Sequence, residues 1–233
     1  MHKAKRQKAQ SEMKIPCIVY ITTAVITPKI ERFWARNMKR SQCDLRIFDD
    51  NAFLESVEEL GISDVVNAVR PWAFKADIWR YALLARDGGM FFDAELRLYK
   101  PPEEIFDLYS NMVQVPTDTN KTCLWQAMLA SPPNSNALYR TLARAESNVK
   151  ARSYGEKDAE NAPPLGITGP CTMGSALSPN DYRIIGEHVP PFAKTATGDI
   201  LSRDLGTIKK QFTNYDIHYD TLWHNRKVYI DDE

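Results

Sequence analysis

Apolar residues recur along this chain in two rhythms, one short and continuous, the other at helical spacing. Residues 17–21 (CIVYI) form a β-branched run of the length of a buried strand, whereas residues 28–40 (PKIERFWARNMKR) space their apolar positions as a helix does. Residues 45–48 read as the next strand, and Asp49, Asp50 and Asn51 then offer capping side chains for a helix that runs to about Leu60. A further helix is predicted from about Ala73 to Arg86. It stops at Gly88-Gly89, because glycine takes the left-handed geometry that ends a helix, and residues 90–93 (MFFD) follow as a strand with Asp93 at its carboxyl end.

Farther along, residues 111–115 (NMVQV) and the apolar stretch 124–129 read as strands, and residues 134–150 as a helix. Residues 151–165 are polar, charged and proline-ended, which predicts a mobile loop able to serve as a lid. Thr168, Gly169 and Pro170 then mark a helix start, with Thr168 as cap and Pro170 in the first turn. The alternation predicts an α/β fold with a mostly parallel central sheet and helices on both faces. In such folds ligands bind beyond the carboxyl ends of the strands, where Asp93 should lie.

Composition narrows this picture. With 233 residues, 43% of them hydrophobic, the chain can bury one substantial core, so residues 15–233 are expected to form a single domain. Residues 1–14 are polar and basic and are expected to be a flexible, solvated tail. The 30 Lys and Arg balance the 30 Asp and Glu, so no global basic field points to a nucleic-acid partner. Cys17, Cys43, Cys123 and Cys171 are widely spaced without a CxxC pair, which reads as reduced, mostly buried thiols rather than a zinc knuckle or a disulfide framework. No run approaches the roughly 20 apolar residues of a transmembrane segment, nor does the start carry the apolar run of a secretory signal. The expectation is a soluble, cytoplasmic protein.

Candidate chemistry concentrates in residues 71–100, PWAFKADIWRYALLARDGGMFFDAELRLYK. Asp77 and Arg80 lie three positions apart on one helical face, with Tyr81 and Leu84 continuing the stripe. Taken alone, such a pair is usually a weak surface contact. Asp93 and Glu95 flank the small Ala94, so on an extended strand both carboxylates point to the same side. Two carboxylates suit a hard ion such as Mn²⁺ or Mg²⁺, and a diphosphate leaving group needs such an ion as charge develops on its oxygen. A glycosidase pair fits less well, since its carboxyls flank the bond from separate strands about 5 Å or more apart. A phosphohydrolase or nuclease using the same acids is disfavoured by the balanced charge and the scarcity of histidines. The plain alternative is two exposed acids after a strand.

ADIWRY followed by DGGMFFDAE resembles the signature of the glycosyltransferase family that includes yeast initiating mannosyltransferases and the sugar-transferring bacterial toxins. That pattern is A-D-hydrophobic-x-R-Y, then G-G-hydrophobic-Y-hydrophobic-D-x-D. ITGP (residues 167–170) resembles the family's T-G-P turn and HYDTLW (residues 218–223) its terminal histidine and tryptophan, so the likeness spans about Ile15 to Trp223. The resemblance implies a GT-A type nucleotide-sugar-binding fold and a retaining transferase acting on a UDP- or GDP-sugar and a glycan or other hydroxyl acceptor. It implies catalytic roles for Asp77 and Arg80, and a donor site drawn from Tyr20, Thr23, Asp77, Arg80, Tyr81, Gly88, Gly89, Asp93, Thr168, Gly169 and Trp223. Asp93, Glu95 and His218 would hold the ion, with His224 a rival for His218. Three departures stand out. Glu95 replaces the usual second Asp, Tyr20 and Thr23 replace a histidine and a base-stacking tryptophan, and His218 lies one position closer to Trp223 than is common. Glu95 and the altered first strand also suit a nucleotide-sugar or metal-binding module that has lost catalysis.

Overall fold

In the computed structural model, which describes residues 14–155, 163–205 and 218–231, the first strand forms on the β-branched run: β1 is Ile18–Thr22. Thr27 caps α1 (Pro28–Asn37) by accepting the Ile30 amide, with Pro28 in the first turn, where its missing N–H has no partner to lose. β2 (Asp44–Phe48) leads to Asp49, whose carboxylate accepts the Ala52 amide and starts α2 (Asp50–Glu59). The short α3 (Ser63–Asn67) precedes α4 (Trp72–Asp87), which ends on Gly88, and β3 (Gly89–Phe92) turns back at once. Only glycine fits that corner. Gly88 has φ +67° and a Cβ there would come 2.6 Å from the Pro133 nitrogen, while at Gly89, φ +108°, a Cβ would meet the Tyr20 ring at 2.7 Å.

β4 (Leu96–Leu98), α5 (Pro102–Ile105), β5 (Val113–Thr117), β6 (Met128–Ser131) and α6 (Asn136–Lys150) follow. The 3₁₀ turn Pro163–Gly166, α7 (Pro170–Ala176), β7 (Tyr182–Val189), β8 (Phe192–Lys194), β9 (Ile200–Asp204) and α8 (Tyr219–His224) complete the described residues. The basic segment 1–13 and the middle of the expected lid, 156–162, lie outside them.

The strands form a nine-stranded sheet in the order β2-β1-β3-β6-β5-β7-β8-β9-β4. The expectation of a mostly parallel sheet needs correction, because the sheet is mixed. β1 is parallel to β2 and β3, and β5 to β7, but β6 runs against both β3 and β5, and β7, β8, β9 and β4 pair antiparallel. The short link between β7 and β8 can join only antiparallel neighbours. β1, β2, β3, β5 and β7 nonetheless share one direction, so their carboxyl ends line one edge. Both faces are covered: Phe91 of β3 enters one core with Ile78, Trp79 and Leu138, while its neighbours Met90 and Phe92 enter the other with Ile30 and Trp34.

The reading of four reduced thiols is also corrected, since Cys17 pairs with Cys43 and Cys123 with Cys171. Each pair joins segments 26 or 48 positions apart, so local spacing carries no sign of it. Such crosslinks persist in oxidising surroundings and are rare in a reducing cytosol, which leaves the cytoplasmic expectation without support from the cysteines. No helix among the described residues is long and apolar enough to cross a membrane.

Candidate functional site

The glycine corner brings Arg80 and Asp93 together. Arg80 sits eight positions before Gly88 on a helix, about 12 Å back along its axis, and Asp93 sits just past the end of β3, four positions after Gly89 and about 13 Å back. The two distances match, and Arg80 Nη1 lies 3.2 Å from Asp93 Oδ1. The guanidinium also faces Asp77 Oδ1 at 3.3 Å, donates through Nη1 to the Gln126 carbonyl at 3.0 Å and covers the Phe91 ring at 4.2 Å. With Asp77 6% and Arg80 5% exposed, the reading of a weak surface pair is excluded. Desolvated pairs of this kind are strongly felt when one partner is removed.

Asp77 is enclosed on every polar side. Gln126 Nε2 donates to its Oδ1 at 2.6 Å and Thr168 Oγ1 to its Oδ2 at 2.9 Å. Burial lifts its pKa to about 7, with Arg80 and the Thr168 hydroxyl pulling it down and the nearby Asp93 charge pushing it up. Thr168 therefore serves the carboxylate and not the helix, and α7 begins on Gly169 without a side-chain cap. Tyr81 Oη approaches the Thr168 carbonyl at 2.9 Å and the Gly169 carbonyl at 3.2 Å and hydrogen-bonds Gln126 Oε1, and burial drives its pKa well up. Gln126 is the residue that sequence reasoning missed. Its signal was a lone amide inside the apolar stretch 124–129, which such a stretch tolerates only when the amide is hydrogen-bonded.

Beside it, the Trp125 ring stacks on His188 with centroids 4.0 Å apart, and His188 Nδ1 lies 3.4 Å from Asp118 just past β5.

Asp93, Ala94 and Glu95 do not continue β3. The strand ends at Phe92, and the three residues form a turn closed by the Leu96 amide to the Asp93 carbonyl at 3.0 Å and fixed by Trp34 Nε1 to the Ala94 carbonyl at 3.0 Å. The extended-strand argument for their shared direction is thus replaced by a turn. The Asp93 side chain keeps 33% exposure, whereas Glu95 is buried. The partly exposed Asp93 offers hard carboxylate oxygens of the kind a divalent ion takes. Among the described residues, however, the compact three-ligand group is Cys17, Cys43 and Glu103, and its two cysteines are already joined to each other. Asp93, Glu95 and His218 form no comparably tight set.

The remaining expected residues are scattered. Tyr20 is 1% exposed with its ring on Gly89, at the amino end of β3, and its hydroxyl has no partner among the described residues. It is core, paired with Phe91 in the β1–β3 ladder. Gly88 and Gly89 build the same corner. Thr23 stands at the carboxyl end of β1, its amide bonded to the Phe48 carbonyl at 2.9 Å. His218 caps α8 by accepting the Asp220 amide at 3.2 Å, and His224 Nδ1 lies 2.8 Å from the Asp220 carbonyl. Trp223 donates to the Tyr154 carbonyl at 2.9 Å, docking α8 on the first residues of the expected lid.

No protein-family model and no curated protein matches the chain. Among solved structures it is similar to one described as "PaToxG Glycosyltransferase", with a TM-score of 0.49 and 17% identity over 75% of this chain and 74% of that one. A likeness of that strength carries no argument about activity, which rests on the residues themselves.

Proposed function

We propose that this protein is a retaining glycosyltransferase of GT-A type that moves a hexose from a UDP- or GDP-sugar to a glycan or other hydroxyl acceptor. The observation that supports it is the run of contacts from buried Asp77 and Arg80 to the partly exposed Asp93 at the carboxyl edge of the sheet, where α/β folds bind nucleotides. Arg80, held between two carboxylates, cannot swing and presents its guanidinium in one orientation to sugar hydroxyls or phosphate oxygens. Asp77, oriented by Gln126 and Thr168, holds the Arg80 guanidinium in that orientation from behind. Asp93 and Glu95 would hold Mn²⁺ or Mg²⁺, which supplies positive charge against the departing diphosphate.

Incubating the chain with a panel of UDP- and GDP-sugars and Mn²⁺ and measuring free sugar tests this, because leakage to water needs no known acceptor. Release from one donor, abolished by EDTA and by Asp93→Asn, is expected; release indifferent to both would overturn the reading. The burial of Glu95 and the use of His218 as a helix cap favour a second reading, a nucleotide-sugar-binding module without turnover. Donor binding with no sugar release would identify it.

A further inference from the structure

Two segments far apart in sequence grip Asp77, and one covalent bond joins them. Gln126 holds Oδ1 and Thr168 holds Oδ2. Cys123 lies three residues before Gln126, Cys171 three residues after Thr168, and the two form a disulfide. At about 3.5 Å per residue, each donor sits within roughly 10 Å of chain from the crosslink. The same two segments meet through the Leu124 amide and the Pro170 carbonyl at 3.0 Å, and Gly174 packs so tightly on Thr122 that a Cβ would come 2.0 Å from its carbonyl oxygen. The other disulfide, Cys17–Cys43, joins the residues just before β1 and β2. It lies at the amino ends of the strands, the edge opposite Asp93.

We propose that the Cys123–Cys171 disulfide positions Asp77, so that donor binding depends on the oxidation state of this one pair. The inference rests on the donor site argued above. A dithiol reductant would deliver two electrons and two protons to the cystine, leaving two thiols and itself becoming a disulfide. The freed sulfurs cannot remain at bonding distance and move apart to van der Waals contact, a shift on the order of an ångström or more. That shift is passed to Gln126 and Thr168 through three residues on either side. Misplacement on this scale in a binding site costs on the order of tenfold to a hundredfold in rate or affinity. Both sulfurs are buried, so exchange requires local opening and the pair is oxidised when the site is assembled.

The test compares two double variants of the full chain, Cys123→Ala with Cys171→Ala and Cys17→Ala with Cys43→Ala. The first is expected to raise the KM for the hydrolysed sugar donor about tenfold or more with a smaller change in kcat, and the second to leave both within about twofold. The side-chain amide resonance of Gln126, which reports its bond to Asp77, is expected to shift in the first variant and not in the second. This readout requires no turnover. A wild type that releases no sugar would overturn the transferase reading while the resonance still judges the positioning role. An unmoved resonance in the folded 123/171 variant, or equal effects from both pairs, would overturn the proposal. Should the 123/171 variant not fold, the same resonance is read on folded wild type incubated with dithiothreitol, with the reduced pair identified by alkylation.

Discussion

Thr168 donates its hydroxyl hydrogen to Asp77 at 2.9 Å across 91 positions of sequence, and it opposes the burial that would otherwise keep that carboxyl protonated. Because the folded pKa of about 7 lies above the ordinary carboxyl value of 3.8, the native state holds this proton more tightly than the unfolded chain does. The contribution to stability is therefore full below about pH 4, falls as pH rises towards 7 and is flat above it. The difference in urea midpoint between wild type and Asp77→Asn, measured from pH 4 to 9, is expected to follow that fall. Thr168→Val is expected to extend the fall to higher pH. A difference independent of pH would contradict the assignment.

Arg80→Lys keeps the charge but loses the fork that reaches Asp77, Asp93 and the Gln126 carbonyl together. Leaving a buried carboxylate without its partner is expected to cost about 3 kcal/mol, read by urea unfolding, with donor turnover reduced on the order of a hundredfold. Wild-type stability and turnover in this variant would show that a point charge suffices there.

Gly89→Ala is expected to destabilise the chain by about 3 kcal/mol, since it combines a positive φ with a clash on the Tyr20 ring. Gly198→Ala serves as the comparison, because Gly198 also has a positive φ, +89°, but nothing within 4 Å of its Cβ position. Its cost should stay near 1 kcal/mol. Equal costs at the two positions would remove the close approach from the explanation of the corner.

Mn²⁺ and a nucleoside diphosphate are expected to raise the Tm together by more than the sum of their separate effects, because Asp93 and Glu95 leave much of an ion's shell to phosphate oxygens. Calorimetric scans with each ligand and with both decide this. Stabilisation by Mn²⁺ that UDP and GDP leave unchanged would mean a metal site without a donor role.

The sequence by itself determined those features whose causes are local. α1, α2 and α4 follow from apolar spacing, from the Asp49 cap and from the glycine pair, and the spacing of three puts Asp77 and Arg80 on one helical face. Tertiary structure alone decided the rest. Gln126 sits beside Asp77, Thr168 bonds that carboxylate instead of capping a helix, Tyr20 lies in the core, and the four cysteines pair. Periodicity likewise announced strands without their neighbours, so β6 running against β3 and β5 was not legible in it. The physical reason is common to all of these: a hydrogen-bond, disulfide or ladder partner tens of residues away is selected by which surfaces pack together. Nothing in the spacing of the residues themselves records that choice.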